Sequence, residues 1–398
     1  MRRYSADAAA ALGLQRGWPG ARYRLMRVLL LSAYHSASHQ YWCEGLMAAF
    51  PDIDWTLKTQ PARHFSWRVE ASGLLWALAD DADFECDYDL IIATSLSDLT
   101  RLRAFRPHLA AIPTWLYFHE NQFAHPRSAS QATDHQIGWQ FLSIQNALCA
   151  DWLSFNTEFN RRTFLSGARK LLRRFPEKLP GNPIERIEQR SDVLPVPLTE
   201  AFSALRDRPK EADLIVWNHR WEWDKQPERF LAALLQLRDA GIGFRLAMLG
   251  SGGGRNAEFE RQRQALSDSI VHWGEAAQSD YQQWIGRAGV GVSTSLHDFQ
   301  GLSMLELAQA GAQVVVPHRL AYPEVLPDAR FYTGSESDAQ RDVADLTAVL
   351  KSVLAGIGDA PAAKPAVPLW SELAGCYADR MNTIASEYDR RRPPISGR

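Results

Sequence analysis

The stretch MRVLLLSAY (26–34) is apolar at nearly every position, the pattern of a short strand buried on both faces of a parallel sheet. A polar loop, HSASH, and a helical pattern, QYWCEGLMAAF, follow it. The alternation then repeats, with YDLIIATS as a strand, LSDLTRLRAFRPHL as a helix and IPTWLYFHEN as a strand running into a polar turn. Strands alternating with helices predict an α/β fold with a doubly wound parallel sheet, whose ligands bind at the carboxyl ends of the strands.

The rhythm breaks at the proline-containing SDVLPVPLTEAFSALRDRPKEA and restarts at DLIVWNHRWEWDKQPERFLAALLQL. Beyond it, FRLAML, SIVHWGE, VGVSTS and AQVVVPH read as strands, and AEFERQRQALS and SDYQQWIGRA as helices. This predicts two Rossmann-like doubly wound domains, 26–200 and 210–365, joined near 195–212. A helix over 366–390 carries aromatic and aliphatic residues at helical spacing and is expected to cross back onto the first domain. Residues 1–25 read as a loose leader, with Met26 as an alternative start, and 391–398 as a disordered tail.

Composition narrows the class. At roughly 100–200 residues per domain, 398 residues suggest two or three cores, and 46% hydrophobic with 23% charged residues is a globular composition. The net charge of −2 argues against a chain coated in nucleic acid or adsorbed to a membrane, while leaving room for a local basic patch. Cys43, Cys86, Cys149 and Cys376 form no C-x-x-C pair, so neither a zinc site nor a disulfide framework is indicated. No apolar run approaches the ~20 residues of a membrane-spanning helix.

The candidate chemistry sits at strand ends. In the first half His35 and His39 follow the first strand, and His119, Glu120 and Asn121 follow IPTWLYF. In the second half Arg220 and Lys225 occupy a strand-to-helix turn, where two cations can face one diphosphate. Gly250, Ser251 and Gly252 open the glycine-dense GSGGG turn, which lets backbone N–H groups approach an anion; a plain flexible loop is the other reading. The segment HDFQGLSMLE places Asp298 and Glu306 around Gly301, at the start of an apolar helix. A phosphate can dock on the N–H groups of Gly301, Leu302 and Ser303, with both carboxylates accepting hydrogen bonds from sugar or ribose hydroxyls.

The strings SAYHSASHQYW, YFHENQ, VWNHRWEWDKQPERF and STSLHDFQGLSMLELAQAGAQVVVPHRLAYPEVLP, in that order, resemble the tRNA-queuosine mannosyltransferases, a branch of the retaining GT-B glycosyltransferases. The resemblance implies two Rossmann-like domains facing across a cleft and a GDP-mannose donor with no bound metal or other cofactor. It also implies Arg220 and Lys225 on the leaving diphosphate, His119 near the donor sugar, Glu306 on the ribose and Asp298 toward the sugar. That superfamily carries a glutamate where Asp298 stands, so the first acid is one methylene short. His119, Asp298, Arg220 and Lys225 are thus the expected catalytic residues.

An RNA acceptor requires a basic surface. Residues 161–178 hold Arg161, Arg162, Arg169, Lys170, Arg173, Arg174 and Lys178 against the single acid Glu177, which reads as a phosphate-binding stripe or a solvated helix face. His35, His39, Glu120, Asn121, Arg169, Lys170, Arg173 and Arg174 are the expected acceptor residues. Phe65 and Trp67 beside Arg68 read either as a stacking platform for an extruded base or as core. The resulting expectation is a cytoplasmic, membrane-free mannosyltransferase acting on queuosine-bearing tRNA. A glycan, lipid or small-molecule acceptor and a silent nucleotide-binding RNA protein are the competing readings.

Overall fold

A computed structural model describes residues 26–125, 133–252, 257–356 and 364–391. The chain divides into two compact units, one formed by residues up to Pro197 together with those from Leu369 onward, the other by Leu198–Pro368. The expected leader, 1–25, lies outside the described residues, as does the expected tail, 391–398, apart from Arg391.

The first unit is built on strands β1 (Arg27–His35), β2 (Asp54–Pro61), β3 (Leu90–Thr94), β4 (Thr114–Phe118), β5 (Trp152–Phe155) and β6 (Ser191–Val193). They pair in parallel in the order β2-β1-β3-β4-β5-β6. Leu29, Leu31, Ile91, Leu116 and Phe155 are fully or almost fully buried in its core, which explains the unbroken apolar runs of the central strands. The edge strand β2, DWTLKTQP, is mostly half-buried and has no such run. It and the following helix Phe65–Ala77 lie between two elements that the sequence pattern places next to each other.

The second unit repeats the architecture with β7 (Glu211–Trp217), β8 (Arg245–Leu249), β9 (Ile270–Gly274), β10 (Ala288–Val292), β11 (Gln313–Pro317) and β12 (Arg330–Tyr332), ordered β12-β11-β10-β7-β8-β9 and again parallel. Ile215, Trp217, Leu246, Val292 and Val315 fill its interior.

The last helix, Trp370–Arg391, belongs to the first unit. Trp370 is fully buried, and a Cβ on Gly45 would come within 2.6 Å of its indole, so that glycine makes the space for the ring. Tyr377 accepts a hydrogen bond from Trp42 Nε1 at 3.0 Å and donates to the Pro195 carbonyl at 3.0 Å. Removing a buried tryptophan of this kind costs about 3–5 kcal/mol. Among the described residues no helix is long and apolar enough to cross a membrane, and all four cysteines are free thiols.

Candidate functional site

In the second unit, β7 ends at Trp217 and the chain turns through Asn218–Glu222 into a short 3-10 turn, Trp223–Lys225. Gln226 then takes a left-handed conformation, φ 53°, and Pro227 opens the next helix. The loop after β10 is fastened to this turn: Leu296 N–H donates to the Asp224 carbonyl at 2.7 Å, and Thr294 Oγ1 donates to the Lys225 carbonyl at 2.7 Å. Two segments some seventy positions apart, the count between Lys225 and Asp298 being 73, therefore form one wall.

Lys225 is buried in that wall. Its ammonium donates to the His297 carbonyl and to Asp298 Oδ1 at 3.1 Å, and lies 3.3 Å from Asp224 Oδ2. Burial works against the lysine charge, but Asp298 and Asp224 outweigh it and hold its pKa above the ordinary value. Burial likewise favours a neutral Asp298, and there Lys225, His219 and Tyr322 prevail, keeping the carboxyl well below the usual carboxylate range. Tyr322 supplies its share by donating to Asp298 Oδ2 at 2.6 Å. The aspartate is thus ionised and gripped at both oxygens.

Glu306 stands in a different environment. It lies in the second turn of the helix Leu302–Gln309, and Tyr281 donates to its Oε2 at 2.5 Å. Burial pushes its pKa up to about 7, against the pull of that hydrogen bond. Asn218 Nδ2 donates to the Tyr281 hydroxyl at 2.9 Å and to the Ser303 carbonyl at 3.1 Å, which ties the end of β7 to the start of the helix. Each motif carboxylate is therefore held by one tyrosine, Tyr322 buried and Tyr281 half-buried.

The helix begins on Gly301 at φ 72°, without a side-chain cap. A Cβ there would approach the Tyr322 ring to 2.7 Å, so the residue must be glycine both for its conformation and for room. A helix start left uncapped presents its N–H groups to whatever anion approaches. The Gly250 turn has a packing reason of its own: at φ 97° its missing Cβ would strike the His219 carbonyl, and Trp221 N–H donates to the Ser251 carbonyl at 3.0 Å. Ser251 Oγ donates to Glu275 and Gly252 is exposed, while Gly253 and Gly254 lie outside the described residues. This turn is pressed against the 219–221 backbone and is not a loose loop.

Arg220 is exposed and pairs with Glu222 at 2.9 Å. It is close enough to Lys225 to oppose that residue's charge. The two cations of the turn thus differ in kind, one free to swing and one locked. His219, which the sequence reading passed over although it lies inside the HRWEWDK string, is buried with Nδ1 3.2 Å from Ser303 Oγ. Burial pushes its pKa down to about 4 despite Asp298. Among the described residues, His219 Nε2 and Asn218 Oδ1 are buried without a partner. Buried polar atoms are nearly always paired, so two orphans beside the uncapped helix are the positions a polar ligand would satisfy.

In the first unit, His119 and His39 meet ring to ring at 4.3 Å, against Trp42 and Tyr117. Burial, with the His35 imidazole as a second cause, pushes His39 down to about 3, and burial, with His39 as a second cause, holds His119 well below the ordinary histidine value. Both are neutral, and each Nε2 lacks a partner among the described residues. Ser36 Oγ fixes His39 Nδ1 at 2.9 Å. His35, half-buried, rests on Ser32 Oγ at 3.0 Å, and burial lowers its pKa.

Asn121 is spent internally. Its Nδ2 donates to Asn160 Oδ1 at 2.8 Å and Thr163 Oγ1 at 2.9 Å, and its Oδ1 accepts from the N–H groups of Phe123 and Ala124. Glu120 beside it is half-buried. Phe65 packs edge-on against Tyr34 and Trp139, whereas Trp67 remains 57% exposed, so the core reading holds for the first ring and not for the second. Of the basic stripe, Arg169 is paired with Glu188, while Lys170, Arg173 and Arg174 are exposed.

Residues 27–198 match the family model described as "tRNA-queuosine alpha-mannosyltransferase N-terminal", and residues 212–355 match "Glycosyl transferases group 1". A tRNA-queuosine alpha-mannosyltransferase of Drosophila melanogaster is 29% identical over 321 residues, covering 78% of this chain and 84% of that protein. Among solved structures, sucrose-phosphate synthase from Thermosynechococcus elongatus superposes with a TM-score of 0.56 at 14% identity, over 92% of this chain and 100% of the other. The E. coli trehalose-6-phosphate structure bound with UDP-2-fluoro glucose gives 0.54 at 13%, over 90% and 95%. At such identities these structures carry the fold alone, the paired Rossmann-like architecture of GT-B glycosyltransferases.

Proposed function

The chain belongs to the tRNA-queuosine alpha-mannosyltransferase family and is a glycosyltransferase, and on that premise we propose that it moves mannose from GDP-mannose onto the queuosine nucleoside at the anticodon wobble position of tRNA, in the cytoplasm and with retained configuration. The observation that carries this reading is the pairing of an ionised, doubly held Asp298 with a raised-pKa Glu306 around an uncapped helix start. Carboxylates that accept hydrogen bonds beside an anion site suit a ligand with both hydroxyls and phosphates, which is what a nucleotide sugar is.

The donor's diphosphate docks on the N–H groups of Gly301, Leu302 and Ser303, and Arg220 leaves Glu222 to meet it. Glu306 accepts from the ribose and Asp298 from the hexose, the shorter aspartate being offered forward by Lys225 and Tyr322. As the glycosidic C–O bond breaks, negative charge grows on the departing diphosphate, and the helix start, Arg220 and Lys225 stabilise it electrostatically. The queuosine hydroxyl attacks from the face the diphosphate leaves and gives its proton to a phosphate oxygen. His119, held neutral in the first unit, is a hydrogen-bonding group and not a base. The protein's own cations carry the charge, so no metal or other cofactor enters the scheme.

Adding queuosine-containing tRNA to the protein with GDP-mannose is expected to release GDP. Release driven instead by a lipid or glycan acceptor would remove the proposed acceptor, and no release with any of them would leave a silent binding protein.

A further inference from the structure

We propose that the outer face of the helix Glu158–Leu172 and the turn after it form the track for the acceptor's RNA backbone, with Phe175 as a base-stacking platform; this rests on the tRNA reading above. The helix starts at the carboxyl end of β5 under an N-cap from Thr157, whose hydroxyl accepts from Asn160 N–H at 3.1 Å. Asn160 donates through Nδ2 to the Phe118 carbonyl at 3.0 Å, and its Oδ1 accepts from Asn121 Nδ2 at 2.8 Å. Its first turn is thereby bolted to the ends of β4 and β5, beside His119. A strand of RNA whose modified base sits at those strand ends has this helix beside it as a rigid support.

The structure sorts the cations of the stripe. Arg161 turns inward to Ser191 Oγ at 3.0 Å and to the Glu188 carbonyl, and Arg169 to the Glu188 carboxylate. Arg162, Lys170, Arg173 and Arg174 are exposed, and no ion pair engages them among the described residues. Phe164, Leu165, Ala168 and Leu171 occupy the buried face. At 3.6 residues per turn, Arg162, Ser166, Lys170 and Arg173 fall within about 80° of one another on the opposite face, over a length of about 16 Å. An array of like charges without acids among them is complementary to a polyanion, and its polar intervening residue gives a membrane no apolar face to enter.

Phe175 follows the two arginines. It is 41% exposed, with one side backed by Phe141 at 5.6 Å between ring centroids, so the ring is held in place and still open. A track of cations beside a fixed, exposed aromatic is the combination that holds single-stranded nucleic acid. Against the stripe read from the sequence, Arg161 and Arg169 leave the surface, Arg162 stays, and Phe175 joins.

The test measures tRNA affinity between about 50 and 200 mM salt for the full chain. The triple substitution Arg162→Gln, Lys170→Gln, Arg173→Gln is expected to make the slope of log affinity against log salt shallower by about 2, since each single-strand phosphate contact contributes roughly 0.7. Phe175→Ala is expected to weaken binding about fivefold or more with the slope of the wild type, as stacking carries no counterion release. Arg169→Gln should leave the slope alone. An unchanged slope in a triple variant whose melting temperature matches the wild type overturns the proposal, as does a loss confined to binding of anionic vesicles. Binding is read without mannose transfer, so a wild type that binds tRNA but transfers nothing contradicts the proposed function and not this surface.

Discussion

Lys225 donates to Asp298 Oδ1 at 3.1 Å from a side chain only 10% exposed, while Tyr322 donates to the other oxygen of the same carboxylate at 2.6 Å. A buried pair so held cannot lose one member cheaply. Lys225→Met strands an ionised aspartate, and removing one partner of a buried pair costs about 3–5 kcal/mol. The double variant Lys225→Met, Asp298→Asn is expected to recover most of that stability in denaturant unfolding while staying inactive. Recovery of activity in the double variant would show the pair to be structural only.

Glu306 gives a pH signature. Its pKa is raised from 4.5 to about 7 by burial, so between those values the folded state binds the proton that the unfolded state has lost. Stability therefore falls as pH rises through that window. Glu306→Gln is expected to raise the melting temperature of the ligand-free protein more at pH 8 than at pH 5, in buffers matched for salt. Donor affinity should move the other way, improving in the wild type as the carboxylate ionises and staying lower and flat in the variant. Equal effects at both pH values would place Glu306 outside the titration.

Tyr322→Phe removes one hydroxyl and leaves the ring under Gly301. Hydrogen bonds to charged groups contribute about 1.5–3 kcal/mol, so kcat/KM for the donor is expected to fall roughly ten- to a hundredfold. The fall should lie with the donor, leaving tRNA affinity as it was. A variant whose donor kinetics match the wild type would show that Asp298 needs no second support.

Gly301→Ala combines a left-handed backbone, which costs a non-glycine residue roughly 1–2 kcal/mol, with a Cβ 2.7 Å from the Tyr322 ring. Thermal unfolding should drop by several degrees, and the tyrosine should shift off Asp298. Crystals of the variant with the wild-type Tyr322 position would contradict that coupling.

The α/β class and the paired sheets were legible because the central strands are buried on both faces and so spell continuous apolar runs, as in Leu90–Thr94 and Gln313–Pro317. The edge strand Asp54–Pro61 was not, since a half-buried edge needs no such run, and β6 and β12 are three residues each. The acids and cations of the second unit were legible from motif spacing. Their tyrosine holders were not: Tyr281 and Tyr322 reach Glu306 and Asp298 across 25 and 24 positions through the fold, where no local periodicity points. The division of the basic stripe was readable in principle, because the buried Phe164, Leu165, Ala168 and Leu171 mark the inner face and with it which arginines must turn outward.

The donor is separable from the acceptor. At a hundredfold its dissociation constant a ligand stabilises by about 2.7 kcal/mol, so GDP-mannose should raise the melting temperature where UDP- and ADP-sugars at the same concentration do not. A larger shift with a UDP-sugar would reassign the nucleotide.

The destination of the mannose decides the proposed function. Queuosine-containing tRNA, incubated with the protein and GDP-mannose and then digested to nucleosides, should lose its queuosine peak and gain one of queuosine plus a single hexose, α-linked by NMR. The same tRNA with guanosine at the wobble position should be unchanged. Untouched queuosine, or a hexose on any other nucleoside, would contradict it.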